Sequence, residues 1–470
     1  MLSLIIVGAS LTLLVHAQGC PNPLFTSYQT PSLAEGYGLQ LLTQNITNPH
    51  QIIFDSVGNL LISGDPTGII ALAIEEFGSD GCLTIREQKL VVENGDLDLN
   101  HGISLSPDGK TLYASSVEAA YSWAYDPLTI SASERRTLVV GMTSRGHSSR
   151  TLLASSSFPD FLIISRGSEG NLDTHVLDLA TGRSMIRAFN VSHISEKPYN
   201  YTNDGVLLGW GLRNSVGVSE DRLGGLWSVE NSDDFARRDE SDIHTSNPAD
   251  ELNWHGSLSQ TVGVPGYAGP NYGYPTCLTV WEPIPLPFKL MLETGDQFAR
   301  SPNSTFNDTD CETTFRGPRI SFLAHTAPLD IRFHPRTGDA WIPFHGSWNL
   351  DDPVGYTLSY VPFDKHMQPV PKKNDMNATV DVLWNKDNKL CPVECFRPTG
   401  VAIDARGRVW VTSDHTGEIF VVTPPEAYLN GTQVLTRPSK GSGISIASGS
   451  ISMSGLLMLY ALGASLLIWF

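Results

Sequence analysis

Apolar and polar residues alternate with a period of two along short stretches of this chain, and the stretches come in pairs. In each pair an alternating run meets a turn that usually carries Asp or Gly. A second apolar run then returns and ends in small or polar residues. The copies are QIIFDSVGNLLISG from Gln51, GISLSPDGKTLYASS from Gly102, TLLASSSFPDFLIISRGS from Thr151, SVGVSEDRLGGLWSVEN from Ser215, PLDIRFHPRTGDAWIPFHGS from Pro328 and PTGVAIDARGRVWVTSD from Pro398. Successive side chains of a strand point to opposite faces, so each copy predicts a β-hairpin. No stretch between the two termini keeps a helical period over three turns. A hairpin that recurs about every 40–50 residues is the mark of a β-propeller, where it supplies half of a four-stranded blade. The pattern therefore predicts an all-β, six-bladed propeller. The wide gap between Asn231 and Pro328 predicts an insertion, with room for a seventh blade. A β-sandwich is the rival architecture, but it does not account for a repeated hairpin.

The two ends read differently. Leu2 to Val15 is apolar and Val15-His16-Ala17 carries small residues at −3 and −1, so residues 1–17 read as a secretory signal peptide. Gly455 to Phe470 is apolar again, but it falls short of the roughly 20 residues of a membrane span. Small residues, a polar spacer and a terminal apolar tail form the pattern of a GPI-anchor signal. A short tail anchor is the alternative. The expected domains are a propeller over 18–430, a linker over 431–441 that ends at an attachment site on Gly441, and an anchor signal over 442–470. The 6 cysteines are an even set for a secreted chain and predict disulfides, paired as neighbours: Cys20–Cys82, Cys277–Cys311 and Cys391–Cys395. Sequons at Asn45, Asn190, Asn200, Asn303, Asn307, Asn377 and Asn430 agree with an extracellular, cell-surface glycoprotein. The formal net charge is −18 with no dense basic cluster, which argues against nucleic acid as a partner.

The first strand of a propeller hairpin lines the central channel, so residues just upstream of it ring one mouth. His50 precedes the first copy, His101 the second, His147 with Arg150 the third, Arg213 with Asn214 the fourth, His325 the fifth and Arg397 the sixth. A cation or imidazole at this place in every blade, on an acidic chain, predicts a site for an anionic, planar ligand with a base among its walls. His50 reads as the most structural of them. After the fourth copy comes an oxygen-rich loop with Glu230, Asn231, Ser232, Asp233 and Asp234, then Asp250, Glu251 and Asn253. Clustered oxygens beside cationic donors suit a hard cation such as calcium. A solvated acidic loop is the bland alternative.

GWGLRNSVGV, then LWSVENSDD and NPADELN, resemble the glucose/sorbosone dehydrogenase family, six-bladed propellers that use pyrroloquinoline quinone (PQQ). GHSSRTLLASSSFPDFLIISRGSEGN, GPNYGYPTC, HTAPLDIRF, AWIPFHGSWN and FRPTGVAI follow that family's order of motifs, over about Ile52 to Val422, closest to secreted fungal pyranose dehydrogenases. The resemblance implies a PQQ- and calcium-dependent dehydrogenase that oxidises a sugar by hydride transfer. It implies His147 as the base, Arg213 and Asn214 as donors to the quinone oxygens, and Arg397 on a cofactor carboxylate. His101, Arg150 and His325 would join the cofactor site. Glu230, Asn231 and Ser232 would surround the calcium, and Asp250 would support that ion or the arginine. Trp348 would stack on sugar or quinone, or serve the core. One departure stands out: Leu350 follows Asn349 where relatives often carry Arg. No haem-binding CxxCH is present, so electrons are expected to pass to a separate acceptor. A calcium-dependent hydrolase or lactonase is the alternative enzyme, and a cofactor-less binding module is the alternative without chemistry; Arg213, Asn214 and Arg397 favour the dehydrogenase.

Overall fold

Side chains close the hairpin turns. In the first, fourth and sixth copies an Asp opens the turn, and one carboxylate oxygen accepts backbone N–H groups two and four residues on. Asp55 takes those of Val57 and Asn59, Asp221 those of Leu223 and Gly225, and Asp404 those of Arg406 and Arg408. The other oxygen reaches into the return strand, where it accepts the indole N–H of Trp227 at 2.8 Å from Asp221 and that of Trp410 at 3.0 Å from Asp404. Local turn chemistry and core packing thus fix the same register. The third copy lacks the turn Gly. Its loop draws on the neighbouring blade instead, where Glu220 accepts the N–H groups of Ser156 and Ser157.

The computed structural model describes residues 20, 23–78, 81–143, 146–192, 197–283 and 291–431. The expected signal segment (1–17), the attachment site and the anchor signal (442–470) lie outside them. Six antiparallel sheets follow one another along the chain, each with its hairpin innermost. Blade 1 is Ile52–Phe54, Leu60–Ile62, Gly68–Phe77 and Cys82–Glu93. Blade 2 is Leu99–Leu105, Thr111–Ser116, Ala120–Asp126 and Ser131–Val140. Blade 3 is Leu152–Ala154, Phe161–Arg166, Met185–Asn190 and Val206–Trp210. Blade 4 is Ser215–Glu220, Gly225–Glu230, Asp250–Ser257 and Ile320–Phe322. Blade 5 is Arg332–Phe333, Ala340–Phe344, Thr357–Val361 and Val380–Trp384. Blade 6 is Pro398–Ile403, Val409–Ser413 and Glu418–Thr423, and its outer strand is Gly38–Thr43 from the other end of the chain. That last pairing closes the ring, as the sequence pattern requires of a propeller.

Apolar clusters fill every junction between adjacent blades, including the junction of blade 6 with blade 1, where Trp410, Ile419 and Val421 pack on Ile52, Leu60 and Ile62. The inner strands of neighbouring blades touch all the way round but do not pair by backbone. Their unpaired groups are satisfied by side chains from next door. Gln51 accepts from the Ile103 N–H at 2.9 Å, Ser104 from Ala154 at 3.0 Å, and Asp330 from Val401 at 3.1 Å. The approach is close enough to demand glycine. A Cβ on Gly102 would overlap the Arg150 carbonyl, one on Gly217 would meet the Asp330 backbone, and one on Gly400 would overlap the His50 carbonyl. Gly400→Ala is therefore expected to destabilise the protein by about 3 kcal/mol, as overpacking against a rigid backbone does. Denaturant unfolding would check this, and a change within about 0.5 kcal/mol would show that the ring yields freely.

The expected insertion holds two small hairpins, Arg237–Arg238 with Ser241–Asp242 and Cys277–Thr279 with Gln297–Ala299, and the short helix Asp308–Thr314. Its described residues form no seventh blade. All three disulfides pair as the cysteine spacing suggested: Cys20–Cys82, Cys277–Cys311 and Cys391–Cys395.

Candidate active site

A hairpin runs out and back, so the start of its first strand and the end of its second share one end of the blade. Ser215 pairs with Glu230 and Pro398 with Ser413, which places the upstream residues and the ends of the return strands together. One mouth of the ring therefore collects both sets.

His147 stands at this mouth in blade 3. Its Nδ1 lies 2.9 Å from Ser168 Oγ, and Ser168 Oγ donates its own proton to the Gly170 carbonyl at 2.7 Å. The hydroxyl must then accept from Nδ1–H, which leaves the lone pair of the neutral imidazole on Nε2. Burial first, and then the positive charge of Arg213, push this imidazole's pKa down to about 3.

Arg213 and Asn214 reach the same place from blade 4. The Ser168 N–H donates to the Arg213 carbonyl at 2.8 Å. A Cβ on Gly167 would stand 2.6 Å from Asn214 Oδ1, 2.8 Å from the His147 Cβ and 3.2 Å from the Arg213 carbonyl, so the three surround one glycine. The Arg213 guanidinium is fixed by the Asn171 carbonyl at 3.1 Å, Asn171 Oδ1 at 2.9 Å, the Asn231 carbonyl at 3.1 Å and Asp234 at 2.6 Å. The side-chain amide of Asn214 has no such partner among the described residues.

Other expected site residues turn out to be supports. Arg150 is fully buried, and its guanidinium donates to the carbonyls of Met142, His147 and Ser149. It holds the loop that carries His147 and presents no surface to a ligand. Glu230 and Asp250, expected beside calcium, stand behind the 231–234 loop. Glu230 accepts the Arg213 backbone N–H at 2.6 Å, and Asp250 accepts those of Ser232 at 2.9 Å and Ala327 at 2.8 Å. Burial and the neighbouring Glu251 raise the pKa of Glu230, and burial also raises that of Asp250. His325 donates its Nε2–H to the His244 carbonyl and packs edge-on against the His244 ring, so it braces the rim. Among the described residues, no group of three or more His, Cys, Asp or Glu side chains is placed to hold a metal ion. Neutral oxygens remain in that loop: no hydrogen bond among the described residues reaches Asn231 Oδ1 or Ser232 Oγ.

Across the mouth, blades 5, 6 and 1 supply a second group. His345 Nε2 lies 2.9 Å from Asp414 Oδ2, and Arg397 Nε lies 3.8 Å from Asp414 Oδ1. Burial would raise the pKa of Asp414, but the hydrogen bond and charge of His345 and the charge of Arg397 prevail and hold it at about 2. His50 faces this group, and burial followed by His345 and Arg397 lowers its pKa against the pull of Asp414. His101 lies behind His50, Nδ1 to Nδ1 at 3.3 Å, and burial pushes it down to about 3. The sequence order of importance is thereby reversed: His50 faces the cluster and His101 supports it. Asn100 closes the circuit with a 3.1 Å bond from its side chain to the Ser148 carbonyl, next to His147. His345, Asp414, Ser168, Asn171 and Asn349 were not singled out from the sequence. Reading the end of each return strand as well as the start of the first would have found the first three.

The TrAA12-like family model matches residues 31–425. A pyrroloquinoline quinone-dependent sugar dehydrogenase of Hypocrea jecorina is 40% identical over 414 residues, which is 86% of this chain and 92% of that one. A pyrroloquinoline quinone-dependent pyranose dehydrogenase of Coprinopsis cinerea is 34% identical over 87% of this chain, which spans only 56% of that longer relative. The calcium structure of the Trichoderma reesei family AA12 protein superposes with a TM-score of 0.80 at 40% identity, over 86% of this chain and 99% of that one. The holo form of the Coprinopsis cinerea pyranose dehydrogenase PQQ domain does so with 0.79 at 33% identity, over 86% and 99%.

Proposed function

The chain belongs to the TrAA12-like family, and from that we infer that it is a PQQ-dependent sugar dehydrogenase. The observation that carries the reading is the neutral His147 next to the amide of Asn214, with neither the His147 Nε2 nor that amide partnered among the described residues, at a mouth ringed by cations. The residues suit an anionic, planar cofactor. Arg397 is about a quarter exposed, and among the described residues its guanidinium has only the 3.8 Å contact to Asp414, so its fork is available to a carboxylate. Asn349 Oδ1 is a buried acceptor without a hydrogen-bond partner among the described residues.

PQQ, when bound, supplies the carbon that accepts a hydride from the sugar. His147 Nε2 takes the proton of the reacting hydroxyl, which lets the carbon release its hydride. Arg213 and Asn214 place a positive charge and an N–H donor where negative charge accumulates. Ser168 keeps the imidazole in the productive tautomer. Calcium, when bound, would be held at the 231–234 loop, with the side-chain oxygens of Asn231 and Ser232 among its ligands, and would supply a Lewis acid. Secretion, glycosylation, a GPI anchor on the membrane and a separate electron acceptor belong to the same reading. The disulfides and the exposed positions of Asn45, Asn303, Asn307, Asn377 and Asn430 support an extracellular location.

The test is reconstitution. Purified protein given PQQ and calcium is expected to shift the quinone absorbance, and an aldose is expected to bleach it. A spectrum unchanged from free PQQ would refute cofactor binding, and a shifted spectrum that no aldose bleaches would refute sugar oxidation.

A further inference from the structure

Two large aromatic side chains are left uncovered beside the site. Trp348 is 64% exposed and Phe235 is 51% exposed, and their rings meet edge to face with centroids 5.6 Å apart. They come from different blades: Phe235 from the loop after the second strand of blade 4, Trp348 from the loop after the second strand of blade 5. Their neighbours tie them to the catalytic mouth. Asn349 donates its amide to the Asp234 carbonyl at 2.7 Å, and Asp234 is the carboxylate paired with Arg213. The Phe235 N–H donates to Asp233 at 2.9 Å, so both rings are mounted on braced backbone. The corner has polar edges. His244 stands 6.1 Å from the Phe235 ring and holds Asp242 at 2.6 Å.

We propose that Phe235 and Trp348 form the platform that receives the apolar face of the sugar and so set which pyranose is oxidised. This inference rests on the sugar-dehydrogenase reading. A pyranose presents one face of C–H groups edged by hydroxyls. An open aromatic corner with an imidazole and a carboxylate along its rim matches both features. Exposed aromatics on a soluble surface mark contacts, and nothing in the core requires these two. The Phe235–Trp348 pair is also preorganised, so little side-chain freedom is lost on binding.

The experiment uses the reconstituted holoprotein with Trp348→Ala, Trp348→Phe and Phe235→Ala, across a panel of aldopyranoses. The expected result is a KM about tenfold higher for the preferred sugar in each Ala variant, with kcat and the bound-quinone spectrum little changed. Trp348→Phe should restore most of the affinity, and the ranking of sugars should flatten. A second arm titrates the preferred sugar into cofactor-free protein and follows tryptophan fluorescence, with a response in wild type that Trp348→Phe loses. An unchanged KM and ranking in both Ala variants would overturn the platform, as would an effect confined to the KM of the electron acceptor. If wild type reduces no quinone with any sugar, the functional reading itself fails, and the platform with it.

Discussion

His147→Ala is expected to lower kcat/KM for sugar oxidation by roughly 10²- to 10⁴-fold while the bound-quinone absorbance persists, because it removes the proposed general base and leaves the proposed cofactor contacts. The other imidazoles at the mouth are poorly placed to replace it. His345 is engaged with Asp414, and His50 and His101 are engaged with each other on the far arc. The pH profile carries a second, independent consequence. A general base works only when deprotonated, so a lowered pKa moves the acid limb of kcat/KM to lower pH. Burial and Arg213 push His147 down to about 3 in the cofactor-free protein. A free imidazole would lose half its basic form near pH 6.5. Wild type is therefore expected to keep its full kcat/KM through about pH 6, where an ordinary imidazole would be more than half protonated. Ser168→Ala should cost less, at most about tenfold, since it removes one of two acceptors on Nδ1 and leaves the Ser168 carbonyl at 3.1 Å and the base itself. A His147→Ala protein that reduces bound quinone at the wild-type rate would remove His147 from the mechanism.

The sequence was most informative where local chemistry and tertiary packing agree. D-x-x-G turns with alternating flanks announce three of the hairpins, and two of the Asp residues that close them also hold the buried tryptophans of the return strands. Six recurring hairpins, even at uneven intervals, leave few folds available. Site roles were harder to read, because position along the chain does not reveal which way a side chain points. Arg150 and Arg397 both precede an inner strand, yet one guanidinium is folded under a loop and the other faces the mouth. Glu230 and Asp250 look like metal ligands by composition. Pairing of Gly225–Glu230 with Asp250–Ser257 sets Glu230 opposite Glu251 inside the blade, where burial pushes Glu251 up to about 7, while Asp250 is taken up by the Ser232 and Ala327 N–H groups. His345 and Asp414 were passed over for a topological reason: only one end of each hairpin was read, though both ends arrive at the same place.

Gly167→Ala should test that convergence without deleting any functional group. The added methyl would sit 2.6 Å from Asn214 Oδ1, 2.8 Å from the His147 Cβ and 3.2 Å from the Arg213 carbonyl. None of these can retreat easily. His147 is held by Ser168, Arg213 by Asn171, Asn231 and Asp234, and Asn214 by the backbone bond from Asn231. The relief must come from the geometry of the site, where a displacement of about 1 Å can cost some 10²-fold in rate. We expect kcat/KM to fall by about that factor, with a stability loss of only about 1–3 kcal/mol, because the clash is confined to one loop. Gly170→Ala is the matched control. It lies three residues on, a Cβ there meets nothing within 4 Å, and its carbonyl still accepts from Ser168. Activity near wild type in both variants would mean that His147, Arg213 and Asn214 can separate without consequence. A loss in Gly167→Ala alone would tie the rate to the distance between an imidazole from blade 3 and an amide from blade 4, a distance maintained by the absence of one methyl group.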